Sequence, residues 1–222
     1  MVIDRILDYI SIFLALLLVL PFHEFAHGFA AVKSGDPTPK LLKRYTLNPF
    51  AHFDLFGILC FIVAGFGWAK PVPVNPNNFR NYKRGCFFVS IAGVTANYIL
   101  AFLAVPIYVL LAMYLPDFGY FDDVLIYSFY YVFHLSIVFF IFNLIPVYPL
   151  DGFRVIDVFS KKRGPVYRFL RTKGIFVLYG LILLSFIAER IGVPQLDLLG
   201  IAMNFLFKYV SYPITAFWGL FL

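Results

Sequence analysis

The string HEFAH at residues 23 to 27 is the part of this chain best equipped for chemistry. On a helix, His23 and His27 lie four residues apart on one face, so two imidazoles can converge on a single metal ion with the Glu24 carboxylate beside it. This is the H-E-x-x-H arrangement, in which paired histidines bind zinc and the glutamate acts as general base. Two ligands leave such a centre incomplete, because catalytic zinc takes three protein ligands and keeps a position open for water. Asp151 is the leading candidate for the third. It lies in NLIPVYPLDG, residues 143 to 152, where Pro146 and Pro149 interrupt a long apolar helix and let the chain turn a carboxylate back toward a neighbour. His52 is the rival third ligand. The plainer reading of HEFAH is a pair of packed histidines with Glu24 bound to a base, but ionisable groups inside apolar segments are costly and usually functional. For Asp151 the plainer reading is a turn residue beside Gly152. His134, in the middle of an apolar block, reads as a packed, hydrogen-bonded histidine.

The elements that position these residues belong in lipid. Of 222 residues, 62% are hydrophobic and 14% charged, whereas soluble domains have about 45–50% and about 25%. Membrane segments are expected at about 9–32, 87–115, 124–149, 174–189 and 198–221, each bounded by charge or by Pro and Gly. The apolar block at 53–69 is short, carries Gly57, Gly65 and Gly67, and has basic loops on both sides, which suits a re-entrant segment. Segments 40–48 and 66–79 read as extended, the second because Pro71, Pro73 and Pro76 remove donors. An unwound substrate strand could pair with such edges. The expected fold class is an all-α polytopic membrane protein with five or six transmembrane helices, a re-entrant segment and short extended strands at the cytoplasmic face. One domain should cover 1–222, with core motifs in 20–155 and C-terminal helices in 174–222. No appended soluble domain is expected, since a folded domain usually needs about 50 residues or more. Lys208 lies within the last apolar block, which is therefore either one helix or two half-helices.

The net charge of +6 does not point to nucleic acid, because the basic residues are confined to connecting segments. Lys33, Lys40, Lys43 and Arg44 fall in 33–44; Lys70, Arg80, Lys83 and Arg84 in 70–85; and seven more in 151–173. Together these are fifteen of the eighteen basic residues. The connection at 116–123 holds Asp117, Asp122 and Asp123 and no base, so the basic segments should face the cytoplasm and the N-terminus the outside. His27 lies six residues before Lys33, about 9 Å along a helix, and Asp151 immediately precedes the next basic segment. Both motifs then reach a similar depth near one face. Cys60 and Cys86 have no metal or redox spacing and read as free thiols. The first apolar block lacks a basic leader and is longer than a signal-peptide core, so it should stay in the mature protein. The 29 Phe and 15 Tyr residues suit lipid-facing and interfacial packing rather than a cofactor site.

Five strings in order, HEFAHGFAAVKSGDPTPK, TLNPFAHFD, FGWAKPVPVNPNNFRN, AGVTAN at 92–97 and NLIPVYPLDG, resemble the site-2 protease family of intramembrane metalloproteases, particularly its compact prokaryotic members. The resemblance covers roughly 20–155. It implies one zinc ion, with His23, His27 and Asp151 as ligands and Glu24 as the catalytic carboxylate. It also implies substrates that are transmembrane segments of other proteins in the bilayer, and a site opening toward the cytoplasm of a multi-pass cell-membrane protein. Asn97 stands where the family has an asparagine thought to steady the substrate backbone or the oxyanion, and Val94 stands where the family commonly has proline. Asn97 and Asn143 could instead serve as hydrogen bonds between helices. Competing expectations are a membrane metal-ion transporter and an inactive protease-like scaffold; a transporter would tolerate a change at Glu24 that hydrolysis would not.

Overall fold

A computed structural model describes residues 2–57, 60, 67–161 and 163–222. Long helices form where apolar sequence runs on without turn residues, and each stops for a visible reason. Helix α1 (Val2–Ser34) ends at Gly35, whose φ of 111° suits glycine and few other residues. After it come two single turns, α2 (Thr38–Leu41) and α3 (Pro49–His52). Helix α4 (Tyr82–Tyr114) starts behind Asn81, whose side chain accepts from the Arg84 N–H at 3.0 Å. Helix α5 (Tyr120–Asn143) stops short of Pro146, because the residue before a proline is pushed out of the helical region. The span expected to reach 149 therefore ends at 143. Two short amphipathic helices follow, α6 (Asp151–Phe159) and α7 (Pro165–Thr172). Helix α8 (Gly174–Ile191) closes at Gly192 with a φ of 69°, and α9 (Leu198–Trp218) is capped by Asp197, which accepts from the Gly200 N–H at 2.8 Å.

Among the described residues, α1, α4, α5 and α8 are long and apolar enough to cross a membrane. That is four, against the expected five or six. The fifth long helix, α9, runs unbroken through Lys208 and Pro213, so it is not two half-helices. Asn204, Lys208, Ser211 and Thr215 dilute its apolar character. Residues 58–59 and 61–66 of the expected re-entrant segment lie outside the described residues. The two ends of that stretch do lie side by side, since Phe53 and Ala69 form an antiparallel bridge and the Lys70 N–H donates to the His52 carbonyl at 2.7 Å.

The expected strands are absent among the described residues. At 40–48 the chain turns instead of extending: Pro39 is preset for a helical turn, the Asp36 carboxylate accepts from the Thr38 N–H at 3.0 Å, and Lys43 takes a φ of 55°. The 67–75 segment is extended but forms no ladder. Prolines 71, 73 and 76 have no N–H to give, and the donors between them go to separate acceptors in place of a neighbouring strand.

The core is the mutual packing of α1, α4 and α5, with α9 laid against α4 and α5. Between membrane helices there is no hydrophobic drive, so close approach depends on small residues at the contact. Ala15, Ala31, Ala101, Ala104, Ser11 and Ser136 fill that role, each buried at 2% exposure or less. Larger apolar groups such as Phe13, Leu18, Ile99, Leu103 and Leu183 point outward, as they should toward lipid. Beyond the end of α1, buried Asp36 ties down the extended segment. It accepts from the Asn75 N–H at 2.7 Å and from Asn78 Nδ2 at 2.7 Å. Burial alone would raise its pKa, but hydrogen bonds from Thr38, Asn78 and the Asn75 N–H override this and hold the carboxyl below its ordinary value.

Candidate metal centre

Three elements meet at His23 and His27. His23 and His27 project from the second half of α1, about 16 Å and about 10 Å before its end, and both are buried. Asp151 is the first residue of α6, where a carboxylate suits the positive end of the helix dipole. Its burial would raise its pKa, but His27, His23 and Arg154 together hold the carboxyl below the usual value, so it is ionised at neutral pH. The third element, α4, contributes Val89, Gly93 and Asn97, spaced four apart on one helical face.

Nε2 of His23 and Nε2 of His27 are 3.0 Å apart, and Asp151 Oδ2 lies 3.5 Å and 3.1 Å from them. Among the described residues this is the group of His, Cys, Asp and Glu side chains whose ligand atoms converge closely enough to hold a metal ion. Ligand bonds of about 2.0–2.1 Å in a tetrahedron put neighbouring ligand atoms about 3.3 Å apart, and the three observed separations bracket that value. Hydrogen bonding supports the fit. Nδ1 of His27 is 2.7 Å from the Val89 carbonyl, which only accepts, so that nitrogen carries the proton and Nε2 presents a lone pair. Asp151 Oδ2, also an acceptor, is buried with no hydrogen-bond donor. Two buried acceptor atoms facing each other at 3.1 Å need a cation between them, a proton or a metal ion, and imidazole with carboxylate is a donor set that suits zinc.

Two glycines make room for this meeting. A Cβ on Gly93 would lie 2.4 Å from His27 Nε2 and 2.7 Å from His23 Nε2, so only a glycine lets the α4 backbone come this close. A Cβ on Gly152 would lie 2.2 Å from the Leu144 carbonyl oxygen, which explains the glycine after Asp151.

Glu24 is buried beside the pair, and its Oε2 accepts from the Val72 N–H at 2.8 Å. Asn97 stands behind His23, with Nδ2 3.1 Å from His23 Nδ1. Asn143 is turned onto its own helix, donating to the Phe139 carbonyl at 3.0 Å. The rival ligand His52 is fully buried but sits elsewhere, with Nε2 2.8 Å from the Thr46 carbonyl. His134 packs between rings, 4.7 Å from Phe207 and 6.2 Å from Tyr130. Sequence reading missed Gly93, the Val89 carbonyl, the Val72 N–H and Arg44. Of these Gly93 carried a usable signal, being four residues before Asn97 on the same face. Arg44 reaches across to the segment that holds Glu24, with Nη2 donating to the Lys70 carbonyl at 2.5 Å and the Pro71 carbonyl at 3.3 Å.

Fold and site together define a helical protein with four helices long and apolar enough to cross a membrane and a buried His, His, Asp cluster that could hold a metal ion, with a glutamate at its edge. A protein of Bacillus subtilis (strain 168) described as "Putative zinc metalloprotease YwhC" is 42% identical over 160 residues, 69% of this chain and 73% of the relative. The chain belongs to the zinc metalloprotease family that this relative represents. No family model matches the sequence, and no solved structure matches it.

Proposed function

We propose that this protein is an intramembrane zinc endopeptidase of the site-2 protease type, which hydrolyses peptide bonds in or near transmembrane segments of other membrane proteins. One zinc ion would be held by His23, His27 and Asp151. The observation that carries this reading is the convergence of three buried ligand atoms beside Glu24, two of them on a helix apolar enough to span a membrane. The similarity to a zinc metalloprotease supports the chemistry. The five ordered sequence blocks support the narrower type.

When bound, zinc supplies a Lewis acid that polarises the scissile carbonyl and brings the pKa of water toward about 7. The protein's own groups do the rest. Glu24 takes a proton from the attacking water and passes it to the leaving amine, so that the C–N bond breaks and a carboxylic acid and an amine result. The Val72 N–H fixes Oε2 of Glu24, which leaves Oε1 as the proton acceptor. Asp151 and the histidines stay fixed because their outer atoms face Arg154, the Val89 carbonyl and Asn97. Asn143 acts at one remove, closing the end of α5 just before the turn that delivers Asp151. The site opens toward the basic, cytoplasmic side, and water reaches it along a polar path from there.

The test compares wild type with Glu24→Gln, both purified in detergent, for bound metal and for cleavage of a synthetic transmembrane peptide. Both should hold one zinc ion, and the variant should lose cleavage by about 10²–10⁴-fold. A wild-type protein without zinc, or a variant that cuts normally, overturns the reading. Zinc flux into vesicles that survives Glu24→Gln would mark a transporter instead.

A further inference from the structure

The two histidines are oriented by different kinds of partner. His27 Nδ1 faces the Val89 carbonyl, which can only accept, so His27 keeps its proton there in every state. His23 Nδ1 faces the carboxamide of Asn97, which offers a donor on one side and an acceptor on the other. Asn97 is fully buried, its Nδ2 lies 3.1 Å from His23 Nδ1, and its Oδ1 is buried without a hydrogen-bond partner.

In this arrangement Nδ2 donates to Nδ1 of His23, so the His23 proton sits on Nε2. That proton points at the lone pair of His27 Nε2, 3.0 Å away. The result is a continuous chain of donors, Asn97 to His23 to His27 to the Val89 carbonyl, which satisfies every nitrogen in it without a metal ion. The same chain blocks a metal ion, because His23 Nε2 must offer a lone pair to bind one. The proton therefore has to leave Nε2 for water while another is taken up at Nδ1, and the imidazole stays neutral. An Nδ1–H then needs an acceptor. A half-turn of the Asn97 carboxamide supplies it without repacking, since the group keeps its shape and brings the unpartnered Oδ1 to the place of Nδ2.

We propose that Asn97 is a positioning residue that sets the tautomer of His23, turning its carboxamide over when the centre takes up metal. The proposal rests on the reading of His23, His27 and Asp151 as ligands, and it gives Asn97 a role distinct from steadying substrate or oxyanion. Asparagine suits the position because its carboxamide serves both tautomers. Aspartate could accept only, and would hold the metal-binding tautomer permanently; leucine would support neither.

The experiment measures zinc affinity of the purified full chain by chelator competition, for wild type, Asn97→Asp and Asn97→Leu. Asn97→Leu should bind zinc about 10–100-fold more weakly, and Asn97→Asp at least as tightly as wild type. Equal affinity in wild type and Asn97→Leu, or a tenfold loss in Asn97→Asp, overturns the proposal. Melting of the metal-free proteins shows whether Asn97→Leu folds. If it does not, nitrogen-15 NMR of histidine-labelled wild type decides, because His23 must be protonated at Nε2 in the metal-free protein and at Nδ1 in the zinc-loaded one, and a metal-free His23 already protonated at Nδ1 overturns it. A wild type that binds no zinc removes the metal-centre reading as well, an outcome distinct from any of these.

Discussion

Gly93→Ala is the smallest change that should disturb the centre without replacing a candidate ligand. The added Cβ would sit 2.4 Å from His27 Nε2, 2.5 Å from His23 Cε1 and 2.7 Å from His23 Nε2. Ordinary contact begins near 3.4 Å, so the helices must part, or the rings must shift, by about 1 Å. Metal sites tolerate errors of about 0.2 Å in ligand position, so a shift of this size falls on the binding geometry itself. Overpacking of one methyl typically costs about 1–3 kcal/mol. If that strain is felt wholly in the loaded state, zinc affinity falls about 5- to 150-fold, at 1.4 kcal/mol per decade. If part of it is already felt in the metal-free protein, the thermal midpoint of that form falls as well. Chelator competition and melting with and without zinc read the two parts separately. Gly180→Ala on α8 is the control: a Cβ there meets nothing within 4 Å, and alanine favours a helix by about 0.5–1 kcal/mol. Wild-type zinc affinity together with wild-type melting in Gly93→Ala would refute the packing on which the centre depends.

Arg44→Ala removes the guanidinium that holds the Lys70 and Pro71 carbonyls, and with it the placement of the Val72 N–H on Glu24. Zinc content should be unchanged while kcat falls by roughly tenfold, a loss of about 1.4 kcal/mol and within the range of one charge-assisted hydrogen bond; parallel assays of metal and turnover check it, and lost zinc with unchanged turnover per bound ion would contradict it. Asp36 has a folded-state pKa held below its unfolded value, so its stabilisation is fully present above about pH 4 and is lost as pH falls through the folded value. Wild type should therefore lose thermal stability more steeply than Asp36→Asn on acidification from about pH 5 to pH 3, and parallel slopes in the two melting series would remove Asp36 as the cause.

What the sequence disclosed and what it concealed divide along a physical line. The convergence of the candidate ligands was legible, because HEFAH places two imidazoles at helical spacing and NLIPVYPLDG breaks a helix where a carboxylate can turn back; the structure brings those residues together. The long helices were legible from apolar blocks, with their ends set by Gly35, Asn81, Pro146 and Gly192. The supporting layer was not, because much of it is main chain. The Val89 carbonyl orients His27 and the Val72 N–H meets Glu24, yet neither depends on the side chain that a sequence spells out. The turn at 38–41 overlaps the segment expected to be extended from 40, and it was missed because Asp36 holds it through Thr38 while reaching Asn75 and Asn78 far along the chain. Four of the expected spans stand out by length and hydropathy among the described residues; α9, although a continuous helix, carries Asn204 and Lys208 within an otherwise apolar run, which lowers its hydropathy.

The extended segment that follows Trp68 shows why hydrogen-bond accounting matters to function. A stretch with three prolines invites the idea of an open edge onto which an unwound substrate strand could add. Such an edge needs free donors and acceptors at regular intervals. Here the Lys70 N–H is given to His52, the Val72 N–H to Glu24 and the Asn75 N–H to Asp36, while the Lys70 and Pro71 carbonyls are taken by Arg44. Pro71, Pro73 and Pro76 have no N–H at all. Between Lys70 and Val72 the backbone is therefore turned inward, onto groups that anchor it, and a substrate that pairs there would have to displace the Glu24 contact. The prolines keep the segment straight and prevent competing ladders, so that the Val72 N–H falls on the Glu24 carboxylate; this is the design of a brace.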